Sequence, residues 1–225
     1  ELYMFTNIYQ EDMEYISGAE SIDWKLLAGK TIFITGGTGL IGSTVINGLL
    51  YANNKYKLNV RIIALVRNLD RAKGLFHNVN VGTSLSFIVG SVESLPEVRE
   101  KVDYIIHGAS PTASLYFVQH PVETIQTAVK GTKNILELAK KNQVEGVLYL
   151  SSMEVYGAPL TDELIPETQG CTLDSMTVRS CYPISKRLCE NLCASYSSEY
   201  GVPGKVIRLA QTFGPGVSIN DGRVF

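Results

Sequence analysis

The chain has 225 residues, with 20 basic against 22 acidic side chains for a formal net charge of −2, and it is 45% hydrophobic and 19% charged. This balance excludes a disordered chain and gives no charge-based reason to expect nucleic acid or an anionic membrane as a partner. Four cysteines without a C-x-x-C pair make neither a disulfide framework nor a zinc ribbon, and they fit a reducing compartment.

Residues 1–29 carry scattered aromatics (Tyr3, Phe5, Tyr9, Tyr15, Trp24) and no strand alternation. They read as a short helical extension on a domain that spans 30–225. The acids Glu11, Asp12 and Glu14 do not suit a secretory signal. Thr31–Thr35 is a short β-branched strand, and Leu40–Ala52 has the length and composition of a helix. No charge falls between Thr31 and Asn54, but Gly36, Gly37, Gly39, Gly42 and Gly48 interrupt the run. A strand, a turn and a helix explain it better than a membrane span of about 20 apolar residues. Strands follow at Val60–Val66, Leu85–Val89, Val102–His107, Val147–Leu150 and Lys205–Ala210. Helices are expected at Asp70–His77, Pro121–Asn142 and Pro183–Tyr200. In the long helix, Pro121 suits the first turn and Val122, Ile125, Val129, Leu136 and Ala139 recur at helical spacing. Short apolar strands alternating with helices predict an α/β fold, a doubly wound parallel sheet of Rossmann type. A cytoplasmic protein is expected. His77, His107 and His120 are too scattered for a metal site.

Between the first strand and first long helix, Gly36, Gly39 and Gly42 form a G-x-x-G-x-x-G turn. Glycines there permit a tight turn and let backbone N–H groups approach a pyrophosphate at the positive end of a helix. An acid ending the second strand would favour NAD, whereas this chain has Arg67, which leans toward NADP or toward stacking on adenine. Further on, Tyr182 and Lys186 stand one turn apart on one face at a helix start. A cation beside a phenol stabilises the phenolate and lets it act as a base nearer neutrality. Cys189 and Cys193 read as small core residues beside an Ile184/Leu188/Leu192 stripe.

The motifs GGTGLIG (36–42), HGAS (107–110), SSMEVYG (151–157), YPISK (182–186) and RLAQTFGPG (208–216) together resemble the extended short-chain dehydrogenase/reductase superfamily, in its nucleotide-sugar epimerase, dehydratase and decarboxylase group. The resemblance implies an enzyme acting on a nucleotide-diphosphate sugar through transient C4 oxidation. Tyr182 would be the base, Lys186 would hold the nicotinamide ribose and tune Tyr182, and Ser152 would bond the oxygen being oxidised. The cofactor, NAD with NADP as the alternative, would lie against Gly36, Thr38, Gly39, Leu40, Ile41, Gly42, Arg67, Ser91, Val92, Gly108, Ala109, Ser110 and Ser151, besides Tyr182 and Lys186. His107 is expected to pack at a strand end.

Glu154, two residues after Ser152, separates the reactions that the resemblance allows. An acid there marks dehydratases and uronate decarboxylases, yet Met153 between them can neither give nor take a proton, which disfavours water elimination. Ser91 stands where an Asp is usual, Gln211 where an Asn is usual, and Arg208 and Thr212 are placed toward the sugar nucleotide. An NADPH-dependent carbonyl reductase and a non-catalytic dinucleotide-binding protein are the alternatives. The resemblance also implies a homodimer built on the long helices, and a C-terminal substrate lobe largely absent from these residues, so that this piece alone would be inactive.

Overall fold

The short apolar runs form one six-stranded sheet in the computed structural model, which describes residues 7–77, 83–111, 113–159, 161–170 and 172–214. The strands are β1 (Thr31–Thr35), β2 (Arg61–Val66), β3 (Leu85–Val89), β4 (Tyr104–His107), β5 (Gly146–Ser152) and β6 (Gly204–Leu209). Their order is β3-β2-β1-β4-β5-β6, and every neighbouring pair is parallel. The helices are α1 (Asn7–Ser17), α2 (Leu40–Tyr56), α3 (Leu69–Leu75), α4 (Ser114–Gln119), α5 (Pro121–Asn142) and α6 (Cys181–Tyr200). The doubly wound α/β sheet expected from the sequence is present. The chain builds outward from β1 to β3, then crosses back to β4 on the other side of β1. Connections that diverge this way leave a crevice beyond the carboxyl ends of the two central strands.

All five residues of β1 are buried, as a central parallel strand requires. Its alternation feeds two cores. Phe33 joins Ile105, Val147 and Tyr149 beneath Leu136 of α5 and Cys189 and Cys193 of α6. Ile32 and Ile34 face Ile46, Leu49 and Ala52 of α2, together with Phe76. Both cysteines sit in the core, as expected. Leu188, by contrast, is 46% exposed, so the Ile184/Leu188/Leu192 stripe is not the core-facing row of α6.

Several boundaries differ from the sequence expectation for local reasons. Helix α2 continues past Ala52 to Tyr56, where Lys57 takes a left-handed conformation and its N–H bonds Asn53 O. Strand β4 starts at Tyr104, not Val102: Val102 N donates to the Asn142 side chain, while Asp103 bonds Thr31 O through its N–H and accepts from Thr31 N on its carboxylate. Helix α4 was not expected, since it buries only Phe117 and shows no periodic apolar stripe. On α5, Leu136 and Ala139 are buried, while Val122 and Ile125 stand exposed.

The N-terminal helix α1 lies on α2. Met13 is buried, Tyr56 donates to Ser17 O at 2.8 Å, and Lys55 Nζ bonds Ser17 Oγ at 3.1 Å. Tyr3, Phe5, Cys171 and the end of the RLAQTFGPG motif lie outside the described residues. Among the described residues, no helix is long and apolar enough to cross a membrane.

Candidate active site

The glycine turn leaves β1 at the crevice. Gly36 has φ +76°, and a Cβ there would stand 2.7 Å from the Gly108 carbonyl. A Cβ on Gly42 would stand 2.2 Å from Gly36 O. These two glycines are therefore fixed by protein packing: they let the turn, the end of β4 and the first turn of α2 meet. Gly39 differs, since its added Cβ would meet only Gly36 O at 3.3 Å. It begins α2 in extended conformation, with neither a side-chain cap nor an acid in the first turn. The first N–H groups of α2, at Leu40, Ile41 and Gly42, precede the first intrahelical bond, which runs from Ser43 N to Gly39 O at 2.9 Å.

Across the crevice, the end of β4 is stitched to the end of β1. Gly108 N bonds Thr35 O at 3.1 Å, and Ala109 N bonds Thr35 Oγ1 at 3.1 Å. His107 bridges Thr35 Oγ1 (2.7 Å) and Thr132 Oγ1 (3.2 Å). Burial, reinforced by the nearby charge of Lys186, pulls its imidazole down to about 3. It packs as a neutral strand-end residue, as expected. Ser110 Oγ, next along, is buried with no hydrogen-bond partner among the described residues. An orphaned hydroxyl beside bare helix N–H groups fits the polar groups of a dinucleotide.

Toward the other end of the crevice, Arg67 stands exposed after β2, and Ser91 Oγ accepts from Ser94 N at 3.3 Å. Val92 is turned inward: its side chain packs against α5, where a Cβ on Gly131 would come within 2.6 Å of it. Only the backbone of Val92 is therefore available to a cofactor.

The residues expected to react, Ser152, Glu154, Tyr182 and Lys186, converge at the carboxyl end of β5. Ser152 Oγ caps the 3-10 turn Met153–Tyr156, accepting from Glu154 N at 3.2 Å, and it also stands near enough to the Tyr182 hydroxyl to favour its phenolate. Tyr182 lies in the first turn of α6 and is held by Phe117 of α4, whose ring stacks on it at 4.2 Å and 10°. Burial pushes the Tyr182 phenol above its ordinary value, against the lowering effect of Ser152; Glu154 raises it further and Arg179 lowers it. Lys186 sits behind, 5.7 Å from the Tyr182 ring centroid, its ammonium donating to Leu150 O at 2.7 Å. Burial pulls Lys186 down to about 8. Arg179, from the turn just before α6, adds a second cation near Tyr182, and its charge favours the phenolate.

Two charged clusters flank these groups. Arg179 holds Glu154 with both prongs, Nη1 to Oε2 at 2.9 Å and Nη2 to Oε1 at 3.0 Å. Ser151 donates to Glu190 Oε1 at 2.6 Å, and Glu190 is clamped by Arg208 at 2.7 Å. Arg208 also lies over Tyr156 and donates to Glu167 O, so it ties β6 to α6 and to the segment between β5 and α6. Arg179, Glu190 and Phe117 are missing from the sequence reading. Only Arg179, three residues before Tyr182, stood where its position invited attention.

A separate cleft of about 460 Å³, lined by Lys140, Gln143, Tyr200 and Pro203, opens at the C-terminal ends of α5 and α6. It contains none of the expected site residues. Among the described residues, no group of three or more His, Cys, Asp or Glu is placed to hold a metal.

The model of the NAD dependent epimerase/dehydratase family matches residues 32–225. UDP-glucuronic acid decarboxylase 5 of Arabidopsis thaliana is 34% identical over 193 residues, which are 86% of this chain and 54% of that protein. Among solved structures, the UDP-N-acetylglucosamine 4-epimerase of Methanobrevibacter ruminantium M1, in complex with UDP-N-acetylmuramic acid, superposes with a TM-score of 0.73 at 22% identity, covering 86% of this chain and 58% of that one. The UDP-glucuronic acid 4-epimerase of Bacillus cereus in complex with NAD gives a TM-score of 0.66 at 19% identity, covering 82% and 58%. At these identities the solved structures establish the fold. The chain spans about half the length of the curated relatives it matches.

Proposed function

The chain belongs to the NAD dependent epimerase/dehydratase family, and from that premise we propose that the protein modifies a nucleotide-diphosphate sugar by transient oxidation at C4, with NAD as cofactor and Tyr182 as base. The observation that carries this reading is that Ser152, at the end of β5, and Tyr182, in the first turn of α6, come together at the mouth of the same crevice that holds the glycine turn. The solved relative with bound NAD supports the choice of cofactor over NADP. The free N–H groups of Leu40 and Ile41, with Gly39 and Thr38, would hold its diphosphate. Gly108, Ala109 and Ser110 would line its middle, with Arg67, Ser91 and the Val92 backbone toward adenine and Ser151 and Lys186 toward the nicotinamide ribose.

Bound NAD would supply the acceptor for the C4 hydride and return that hydride later. The residues handle protons and position. Ser152 Oγ would hold the C4 oxygen while Tyr182 removes its proton. In a sugar bearing a C6 carboxylate, the C4 ketone creates a β-keto acid. The C5–C6 bond then breaks, its electron pair enters a C4–C5 enolate, carbon dioxide departs, and a proton is delivered to C5. No acid is needed for a leaving hydroxyl, which suits a site where Met153 occupies the intervening position. Decarboxylation of a uronate sugar nucleotide is accordingly the reading best supported, and the decarboxylases among the relatives agree with it.

A homodimer is part of the proposal. Val122 and Ile125 of α5 and Leu188 of α6 are exposed, an apolar excess on the long helices that the family resemblance assigns to pairing, and Leu115 and Val118 of the adjoining α4 are exposed as well.

The test is turnover. The complete polypeptide with NAD and UDP-glucuronate should release carbon dioxide and yield a sugar nucleotide lighter by that mass. Tyr182→Phe should lose roughly 10²–10⁴ in rate. Full activity in Tyr182→Phe would contradict the proposal.

A further inference from the structure

Arg179 reaches Glu154 from the 3-10 turn Val178–Ser180, which leads directly into α6. The contact is a fork on a fork, with both guanidinium prongs on both carboxylate oxygens. The guanidinium lies over the Phe117 ring, 4.8 Å from its centroid, and the same ring stacks on Tyr182. Fork and phenol are thus held by one shared aromatic plate. Both ion-pair partners keep about a third of their side-chain surface in solvent, 34% for Arg179 and 32% for Glu154, so the pair faces the open side of the site. Arg179 and Glu154 also pull the Tyr182 phenol in opposite directions, which places both charges close to the base.

A planar guanidinium presented in this way matches a carboxylate, and part-exposed ion pairs are held weakly enough to exchange partners. Glu154 is the carboxylate that now fills the fork. We propose that Arg179 is the carboxylate subsite of this pocket, and that the acid group of a uronate-type sugar nucleotide displaces Glu154 from it. The exchange leaves Glu154 free beside Tyr182, and it selects acidic over neutral sugars. This inference rests on the proposed reading of the site as one that binds sugar nucleotides, and it adds the residue that reads the acid group.

The experiment titrates UDP-glucuronate, UDP-glucose and UDP into the NAD-loaded complete polypeptide, in a Tyr182→Phe background that prevents turnover. Arg179→Leu should weaken UDP-glucuronate about tenfold or more while leaving UDP and UDP-glucose within about twofold, because only the acidic ligand uses the fork. Arg179→Lys should fall between, keeping the charge without the fork. Glu154→Gln should tighten UDP-glucuronate alone, since it removes the competing carboxylate. Equal weakening of all three ligands by Arg179→Leu would mean that Arg179 merely staples the segment before α6, and would overturn the subsite. Unchanged UDP-glucuronate binding would overturn it as well. A protein that binds none of the three ligands before Arg179 is altered contradicts the sugar-nucleotide reading itself, and the subsite with it.

Discussion

Burial favours the neutral form of one histidine and one lysine at the heart of the site, His107 and Lys186, and for His107 the consequence is measurable. His107 is neutral between Thr35 and Thr132, pulled down to about 3, whereas the unfolded chain would protonate it near pH 6.5. Below that value the unfolded state binds the proton and the folded state does not, so stability falls as pH drops toward 3. Urea unfolding at about pH 7.5 and about pH 5 should show His107→Asn losing up to about 2 kcal/mol less stability than the unsubstituted protein over that interval. Equal losses would contradict a buried neutral imidazole. The sequence made Ser152, Tyr182 and Lys186 legible because each sits in a short motif at a fixed offset from a strand or helix end. It could not show Arg179 or Phe117, which reach Tyr182 only because α4 and the turn before α6 come together in three dimensions. Nor could i,i+4 spacing reveal that Lys186 spends its ammonium on Leu150 O.

At the scale of elements, the turn between β1 and α2 separates structural from functional glycine. Gly42 has backbone 2.2 Å from where a methyl would go, and Gly36 combines φ +76° with the Gly108 carbonyl at 2.7 Å. Gly39 faces comparatively open space at the helix N-terminus. Gly42→Ala should therefore destabilise the fold by about 2 kcal/mol or more, by forcing α2 off the turn. Gly39→Ala should keep the melting temperature within a few degrees and weaken NAD binding about tenfold, because its methyl meets the ligand and not the protein. Thermal melts with and without NAD measure both. A Gly39→Ala variant that melts early yet binds NAD normally would reverse the assignment. Strands β1 and β3 and helix α5 were legible to the residue, since their apolar runs end at glycine, proline or charge. Helix α4 was not, because a short helix burying one phenylalanine has no period to detect.

For the whole molecule, the crevice, the paired cores on either face of the sheet and the exposed apolar residues of α4, α5 and α6 fit the proposed function, in which the sheet holds the cofactor and Tyr182 stands at its edge as the base. Sedimentation should show two chains per particle, and Ile125→Arg should shift it toward one; a monomer before substitution would contradict pairing through these helices. The doubly wound order followed from alternating strands and helices, whereas the seating of α1 on α2 depends on contacts such as Tyr56 to Ser17 that no local pattern encodes. The central claim is that C4 is oxidised and then reduced again within one catalytic cycle at Ser152 and Tyr182. The direct measurement is turnover of UDP-glucuronate carrying deuterium at C4 by the NAD-loaded complete polypeptide, followed by mass spectrometry and nicotinamide absorbance. Retention of the deuterium in the decarboxylated product, with no net change in reduced nicotinamide, is the expected result. Deuterium lost from the product together with accumulating reduced nicotinamide would contradict it.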